Sequence, residues 1–127
     1  MQTPFLLKKD VLDIIKNGES SKVEFKEEKV HPESLAGEIV SFANFEGGYV
    51  FVGVDDNGNI TGCQRKDIEV FVINICRQNI RPPITPIIEK MVLHDVDFES
   101  AKTLFLFFLK GFQFFIESPF FFSCIYW

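Results

Sequence analysis

The sequence predicts an α/β (α+β) domain, built as a two-layer sandwich in which two or three helices pack on a mixed sheet. Apolar residues recur at helical spacing in three segments of the chain. Other segments alternate polar and apolar residues or form short runs of β-branched and aromatic residues, which is typical of strands. With 127 residues, 46% of them hydrophobic, the chain is long enough for one such domain.

Helices and strands alternate in the first part of the chain. Helical spacing predicts a first helix over residues 5–16, which an Asn-Gly pair ends. Residues 21–26 alternate, which predicts a half-buried strand with Glu24 on its polar face. Residues 32–45 predict an amphipathic second helix that starts at a proline and has Gly47 as its C-cap.

Strands and helices continue to alternate after the second helix. Residues 49–54 form an apolar run that predicts a central strand. The Asp-Asp-Asn-Gly sequence at 55–58 favours a hairpin turn into a strand near residues 59–62. A third helix is predicted over residues 66–78, where a pair of prolines follows, and another strand over residues 86–93.

The C-terminal part differs in composition, because ten of the sixteen phenylalanines lie after residue 97. We therefore divide the chain into a domain at 1–97 and a segment at 98–127. Residues 103–109 predict a final strand that completes the sheet. The Phe-rich run at 112–127 is too interrupted for a membrane anchor, and we interpret it as a non-native end of the kind that a shifted reading frame produces.

Charge and cysteine content exclude several classes of protein. A net charge of -5 and a pI near 5.0 exclude a protein that holds DNA by bulk positive charge, so any contact with nucleic acid must be local. Three separated cysteines, Cys63, Cys76 and Cys124, give neither a disulfide framework nor a zinc motif. The N-terminal segment carries charges within its apolar pattern and is not a signal peptide. We expect reduced thiols, a cytoplasmic location and no membrane partner.

Acidic residues are the first candidates for chemistry. Glu19, Glu24 and Asp56, with Asp55 as the alternate, can meet at one edge of the sheet if the first two strands pair. Carboxylates of this kind hold Mg²⁺ or Mn²⁺ in nucleases, where the metal activates water and neutralises the leaving oxygen. The same residues are equally consistent with solvated carboxylates and with an ordinary turn.

Basic residues are the candidates for phosphate contacts. Lysines cluster around the first strand, and further cations, including Arg65 and Lys66, surround the third helix. Such clusters can contact phosphates without making the whole domain basic, although they also suit ordinary solvated faces. The residues that we select as nucleic-acid contacts are Lys22, Lys26, Lys29, Arg77 and Arg81. No phosphate-binding loop of the ATPase type occurs in the sequence.

Four stretches together resemble the Schlafen-type AlbA-like domain. They are ESSKVEFK at 19–26, SFAN at 41–44, GGYVFVGVDDNG at 47–58 and RPP at 81–83. The resemblance covers roughly residues 5–95 and implies an AlbA-like α/β fold that binds DNA or RNA, often within a transcriptional regulator.

The resemblance also implies an alternative function, since some Schlafen proteins are metal-dependent endoribonucleases that cut structured RNA such as tRNA. The catalytic and metal-binding acids would then be Glu19, Glu24 and Asp56, with Mg²⁺ or Mn²⁺ as the cofactor; otherwise no cofactor is expected. Those nucleases join two lobes, so this single lobe would need to form a homodimer. The Phe-rich run departs from the family pattern, which continues with polar and basic residues.

Overall fold

The computed structural model describes residues 6–94, 100–110 and 125–126 of the chain. The class predicted from the sequence, α+β with three helices and a mixed sheet, is confirmed. In chain order the elements are α1 (Lys8–Asn17), β1 (Val23–Lys26), α2 (Pro32–Ala43), β2 (Gly47–Val52), α3 (Ile68–Gln78), β3 (Ile80–Arg81), β4 (Ile87–Leu93), β5 (Lys102–Lys110) and β6 (Ile125–Tyr126).

The main sheet has four strands in the order β1-β2-β5-β4. Strands β1 and β2 are parallel, and α2 makes the crossover that a parallel pair requires. Strand β5 is antiparallel to both of its neighbours, and the short strands β3 and β6 pair separately. The carboxyl ends of β1 and β2 therefore lie at the same end of the sheet as the start of β5.

Two apolar cores cover the two faces of this sheet. Helices α2 and α3 pack on one face, where Val50, Val52 and Phe107 are fully or almost fully buried. Helix α1 packs on the other face, against Phe25 and Phe51. The predicted two-layer arrangement thus holds for α2 and α3, and α1 adds a helix on the opposite face.

The turn after β2 agrees with the sequence, whereas the strand beyond it is shorter than predicted. Two backbone hydrogen bonds close the turn at residues 55–58. The strand predicted near residues 59–62 is reduced to one isolated bridge between Val54 and Ile60. The carbonyl of Gly53 accepts two successive amides of the returning chain, at 2.8 and 2.9 Å, which prevents a regular ladder.

Helix α2 ends before the residue predicted as its C-cap. Asn44 is the C-cap, and its amide donates to the Val40 carbonyl at 3.0 Å. Gly47 has a φ of +83° and begins β2. A left-handed backbone at this position suits glycine, so the residue expected to end the helix instead opens the strand.

The final strand predicted at residues 103–109 is β5, which lies inside the sheet between β2 and β4. Most of the Phe-rich run lies outside the described residues, apart from the pairing of β6 with β3. Within the described part of the chain, no helix is both long and apolar enough to cross a membrane.

Candidate functional site

A cleft of about 290 Å³ opens where β1 and β2 end. Its lining includes Lys26 from the end of β1, Asp56 from the turn after β2, and Lys29, His31 and Ser34 from the loop and first turn of α2. The extended backbone of His31 places it as the N-cap of α2. The positive end of the α2 dipole therefore faces this cleft, and in open α/β sheets ligands commonly bind beyond the carboxyl ends of parallel strands.

Glu19 and Glu24 form an acid pair beside this cleft. Strand β1 is at the edge of the main sheet, and the Glu19 carboxylate accepts the outward amide of Phe25 at 3.0 Å. The Glu24 carboxyl lies within hydrogen-bonding reach of Glu19. Burial, this hydrogen bond and the nearby charge of Glu38 raise the pKa of Glu24 to about 7. The Glu24 carboxyl is therefore partly protonated near neutral pH and can then donate a hydrogen bond to Glu19.

Lys26 connects the acid pair to the cleft. Its ammonium lies 3.6 Å from Glu24 and 3.9 Å from Glu38, and it donates to the Ser34 hydroxyl at 3.3 Å. Only 18% of its side chain is exposed. Most of the charge of Lys26 is therefore balanced inside the protein. The lysine helps to position these two acids and is only partly available to solvent.

The two neighbouring aspartates differ in what their side chains do. Asp55 accepts the amides of Asn57 and Asn59, both at 2.9 Å, and the Asn59 side-chain amide at 3.1 Å. The bond from the Asn59 amide is the main cause that lowers the pKa of Asp55. The side chain of Asp55 is thus engaged in hydrogen bonds within the turn, whereas the side chain of Asp56 faces the cleft.

The structure assembles the predicted metal ligands only in part. Glu19 and Glu24 meet because the turn before β1 folds back along this strand, where the Glu19 carboxylate accepts the Phe25 amide. Asp56 lies in the adjoining cleft instead of completing their group. Among the described residues, no set of three or more His, Cys, Asp or Glu side chains is close enough to hold a metal ion. The metal site predicted at Glu19, Glu24 and Asp56 therefore stays a prediction.

The five cations predicted to contact nucleic acid do not share one surface. Lys29 is exposed on the cleft and makes no ion pair with a described residue. Lys22, just before β1, pairs with Glu46 at 3.0 Å. Arg77 lies in the last turn of α3, and Arg81 donates to the Arg77 carbonyl at 3.1 Å. Only Lys26 and Lys29 therefore line the cleft.

Comparison with known proteins supports the resemblance seen in the sequence. The sequence model of one protein family, described as Schlafen, AlbA_2, matches residues 19–109, which is more than half of the chain. The chain belongs to the Schlafen AlbA_2 family. No curated protein matches the chain.

The Schlafen AlbA_2 match begins at Glu19 and ends at Leu109. It therefore contains the acid pair, the cleft and almost all of the four-stranded sheet, and it supports a domain related to nucleic acids.

Two acids of this Schlafen AlbA_2 domain were not predicted from the sequence. Glu38 lies one helical turn after Ser34, and this spacing alone shows that both belong to one polar stripe of α2. Glu28 accepts the amides of Gln64 and Arg65, at 2.7 and 2.9 Å, across 36 and 37 residues of chain. No local sequence pattern indicates a hydrogen bond between residues so far apart in the chain.

Proposed function

We propose that this Schlafen AlbA_2 domain binds nucleic acid and that the backbone of the nucleic acid passes through the cleft at the ends of β1 and β2. Membership of the family is the observation that carries the proposal. A role within a transcriptional regulator is the finer part of the same proposal.

The chemistry of the cleft supports a phosphate ligand. Lys29 brings an unpaired ammonium group, Lys26 lies deeper, and the first turn of α2 directs its dipole at the same space. Helix N-termini and lysines are the usual partners of phosphate oxygens. The acids nearby reduce the net positive field, so binding should be weak and strongly dependent on salt.

The test is fluorescence anisotropy with labelled 20-nucleotide RNA and DNA, single-stranded and duplex, at low salt. The substitution Lys29→Gln should weaken binding several-fold, because it removes the free cation of the cleft. Lys8→Gln, on the exposed surface of α1, removes the same charge elsewhere and should change the affinity much less. Equal affinities for wild type and Lys29→Gln would place the nucleic acid outside the cleft.

A second candidate function, a metal-dependent endoribonuclease, is favoured by the acid pair. Glu19 and Glu24 lie side by side, and a cation bound between them would displace the proton that the raised pKa of Glu24 holds near neutral pH. The described chain provides these two ligands but no complete set of three. A working site would thus need a further oxygen from the RNA or from a second copy of the chain.

Incubation of the purified protein with tRNA and Mn²⁺ tests this second function. The nuclease proposal requires cleavage by the wild type and its loss in Glu24→Gln, a substitution that keeps the size of the side chain. Absence of cleavage by the wild type, in a preparation that binds the RNA, would leave the binding function alone.

A further inference from the structure

A second basic surface lies beside the cleft, on the face of the sheet that α3 covers. Two adjoining cavities, of about 330 and 90 Å³, share the lining residues Cys63, Gln64 and Thr103. We call the continuous depression the basic trough. Its charged lining consists of one carboxylate, Glu69, and four cations: Arg65, Lys66, Lys90 and Lys102.

The walls of the basic trough are fixed by hydrogen bonds to the sheet. The Cys63 amide donates to the Thr103 carbonyl of β5 at 2.8 Å, and the Cys63 thiol donates to the Val52 carbonyl at 3.3 Å. Burial is the main cause that raises the pKa of Cys63 to about 12, so the thiol stays neutral. The loop between β2 and α3 is thus held against β5 without adding a negative charge.

The cations of the trough differ in their freedom. The Arg65 guanidinium is bound to Asp67 at 2.9 and 3.0 Å, to the Glu28 carbonyl at 3.0 Å, and lies over the Phe71 ring. By contrast, the lysines of the trough make no ion pair with any described residue. Arg65 therefore shapes the wall, whereas no described acid compensates the charge of the lysines.

Glu28 links the loop beside the cleft to the loop that lines the trough. This residue lies in the β1–α2 loop, between Glu27 and Lys29, which both line the cleft. Its carboxylate accepts two amides of the loop that forms the wall of the trough. The two loops that carry Lys29 and Lys66 are therefore held together by these hydrogen bonds.

We propose that the basic trough is a second contact site for the nucleic-acid backbone, with Lys66, Lys90 and Lys102 binding consecutive phosphates of the strand that leaves the cleft. The proposal rests on the proposed nucleic-acid binding. Charge complementarity supports this occupant, since the lysines make no ion pair with a described residue and the lining, as far as the structure describes it, holds a single carboxylate.

The test compares two double variants of equal charge in the binding of a labelled 20-nucleotide single-stranded RNA between 50 and 200 mM salt. Lys66→Gln/Lys90→Gln changes two exposed lysines of the trough, and Lys8→Gln/Lys9→Gln changes two exposed lysines of α1 on the opposite face. The trough variant should lose about tenfold in affinity at low salt. Its salt slope should fall by about 1 to 2, since each lost phosphate contact removes roughly 0.7.

Three results would overturn the proposal, and they are distinguishable. If the wild type fails to bind RNA and DNA, the proposed function fails and the trough fails with it. If the wild type binds and the trough variant binds equally well, only the trough is wrong. If both double variants lose affinity equally, general charge and not this surface is responsible. Lys66→Arg/Lys90→Arg should retain the wild-type salt slope, because it keeps both charges.

Discussion

Among single residues, Glu24 is one whose protonation the fold changes within the physiological pH range. In the unfolded chain its carboxyl group titrates near 4.5, and in the folded protein near 7. The folded state therefore holds a proton that the unfolded state releases, and folding becomes less favourable as pH rises between these values. The stability that this proton maintains is fully present below about pH 4.5. It is lost as the pH rises, and the loss is complete once the pH is above about 7.

This difference predicts a measurable pH dependence of stability. The free energy of unfolding of the wild type should fall by roughly 1 to 3 kcal/mol between pH 5 and pH 8 because of Glu24. In Glu24→Gln the neutral amide can donate to Glu19 at every pH, so the decline should be smaller. Urea unfolding of both proteins at pH 5 and pH 8 measures this decline.

The control for this prediction is Glu27→Gln. It changes an exposed glutamate that directly follows β1 and does not belong to the acid pair. It should keep the wild-type decline. A Glu24→Gln profile parallel to that of the wild type would show that the titration of Glu24 does not cause the decline.

At the level of elements, the close approach of α2 to the parallel strands depends on Gly48. A Cβ atom at this position would lie 2.8 Å from the Lys22 carbonyl oxygen and 2.8 Å from the Phe42 ring. The Lys22 carbonyl already accepts the Tyr49 amide at 2.8 Å, so it cannot move without disturbing the pairing of β1 and β2.

We therefore expect Gly48→Ala to lower the free energy of unfolding by about 1 to 3 kcal/mol, the usual cost of overpacking. Gly37→Ala is the matched control, since Gly37 lies within α2 and nothing lies within 4 Å of its added Cβ. That variant should instead gain about 0.5 to 1 kcal/mol from helix propensity. Urea unfolding measures both. A Gly48→Ala protein as stable as the wild type would mean that α2 is not packed closely on β1 and β2.

Local patterns predicted the main helices and strands because each has its own period. The alternation in β1 placed Glu24 on the polar side, and the Asp-Asn-Gly sequence predicted the turn that positions Asp56. The contacts of Lys26 with Glu38 depend on how α2 is rotated over the sheet. Residues 63–65 lie between the predicted strand and the predicted third helix and have no period, so their place against β5 could not be predicted, and neither could the meeting of Lys66 with Lys90 and Lys102 in one trough.

For the whole molecule, the arrangement of charge is more informative than its sum. The chain is acidic overall, at -5. Nevertheless Lys29 in the cleft and Lys66, Lys90 and Lys102 in the trough make no ion pair with a described residue, while Lys22 and Lys26 are paired with acids. A short basic track on an acidic domain fits a protein that contacts a few phosphates and does not coat nucleic acid.

Glu28 joins the two parts of this track, which leads to a prediction about the whole surface. Glu28→Ala removes the acceptor of two amides, and we expect a loss of about 1 to 3 kcal/mol in the free energy of unfolding. The trough wall should then move relative to the cleft. Affinity for a 20-nucleotide strand should fall, although a negative charge has been removed.

Glu27→Ala provides the comparison, because it removes the same charge from the same loop and Glu27 accepts no side-chain hydrogen bond from a described residue. Removing charge alone should strengthen binding slightly, so Glu27→Ala should bind as well as the wild type or better. Anisotropy measured on both variants with a 20-nucleotide and a 5-nucleotide RNA separates the effects. If Glu28→Ala binds the longer strand as tightly as Glu27→Ala does, the cleft and the trough act independently, and the continuous track is wrong.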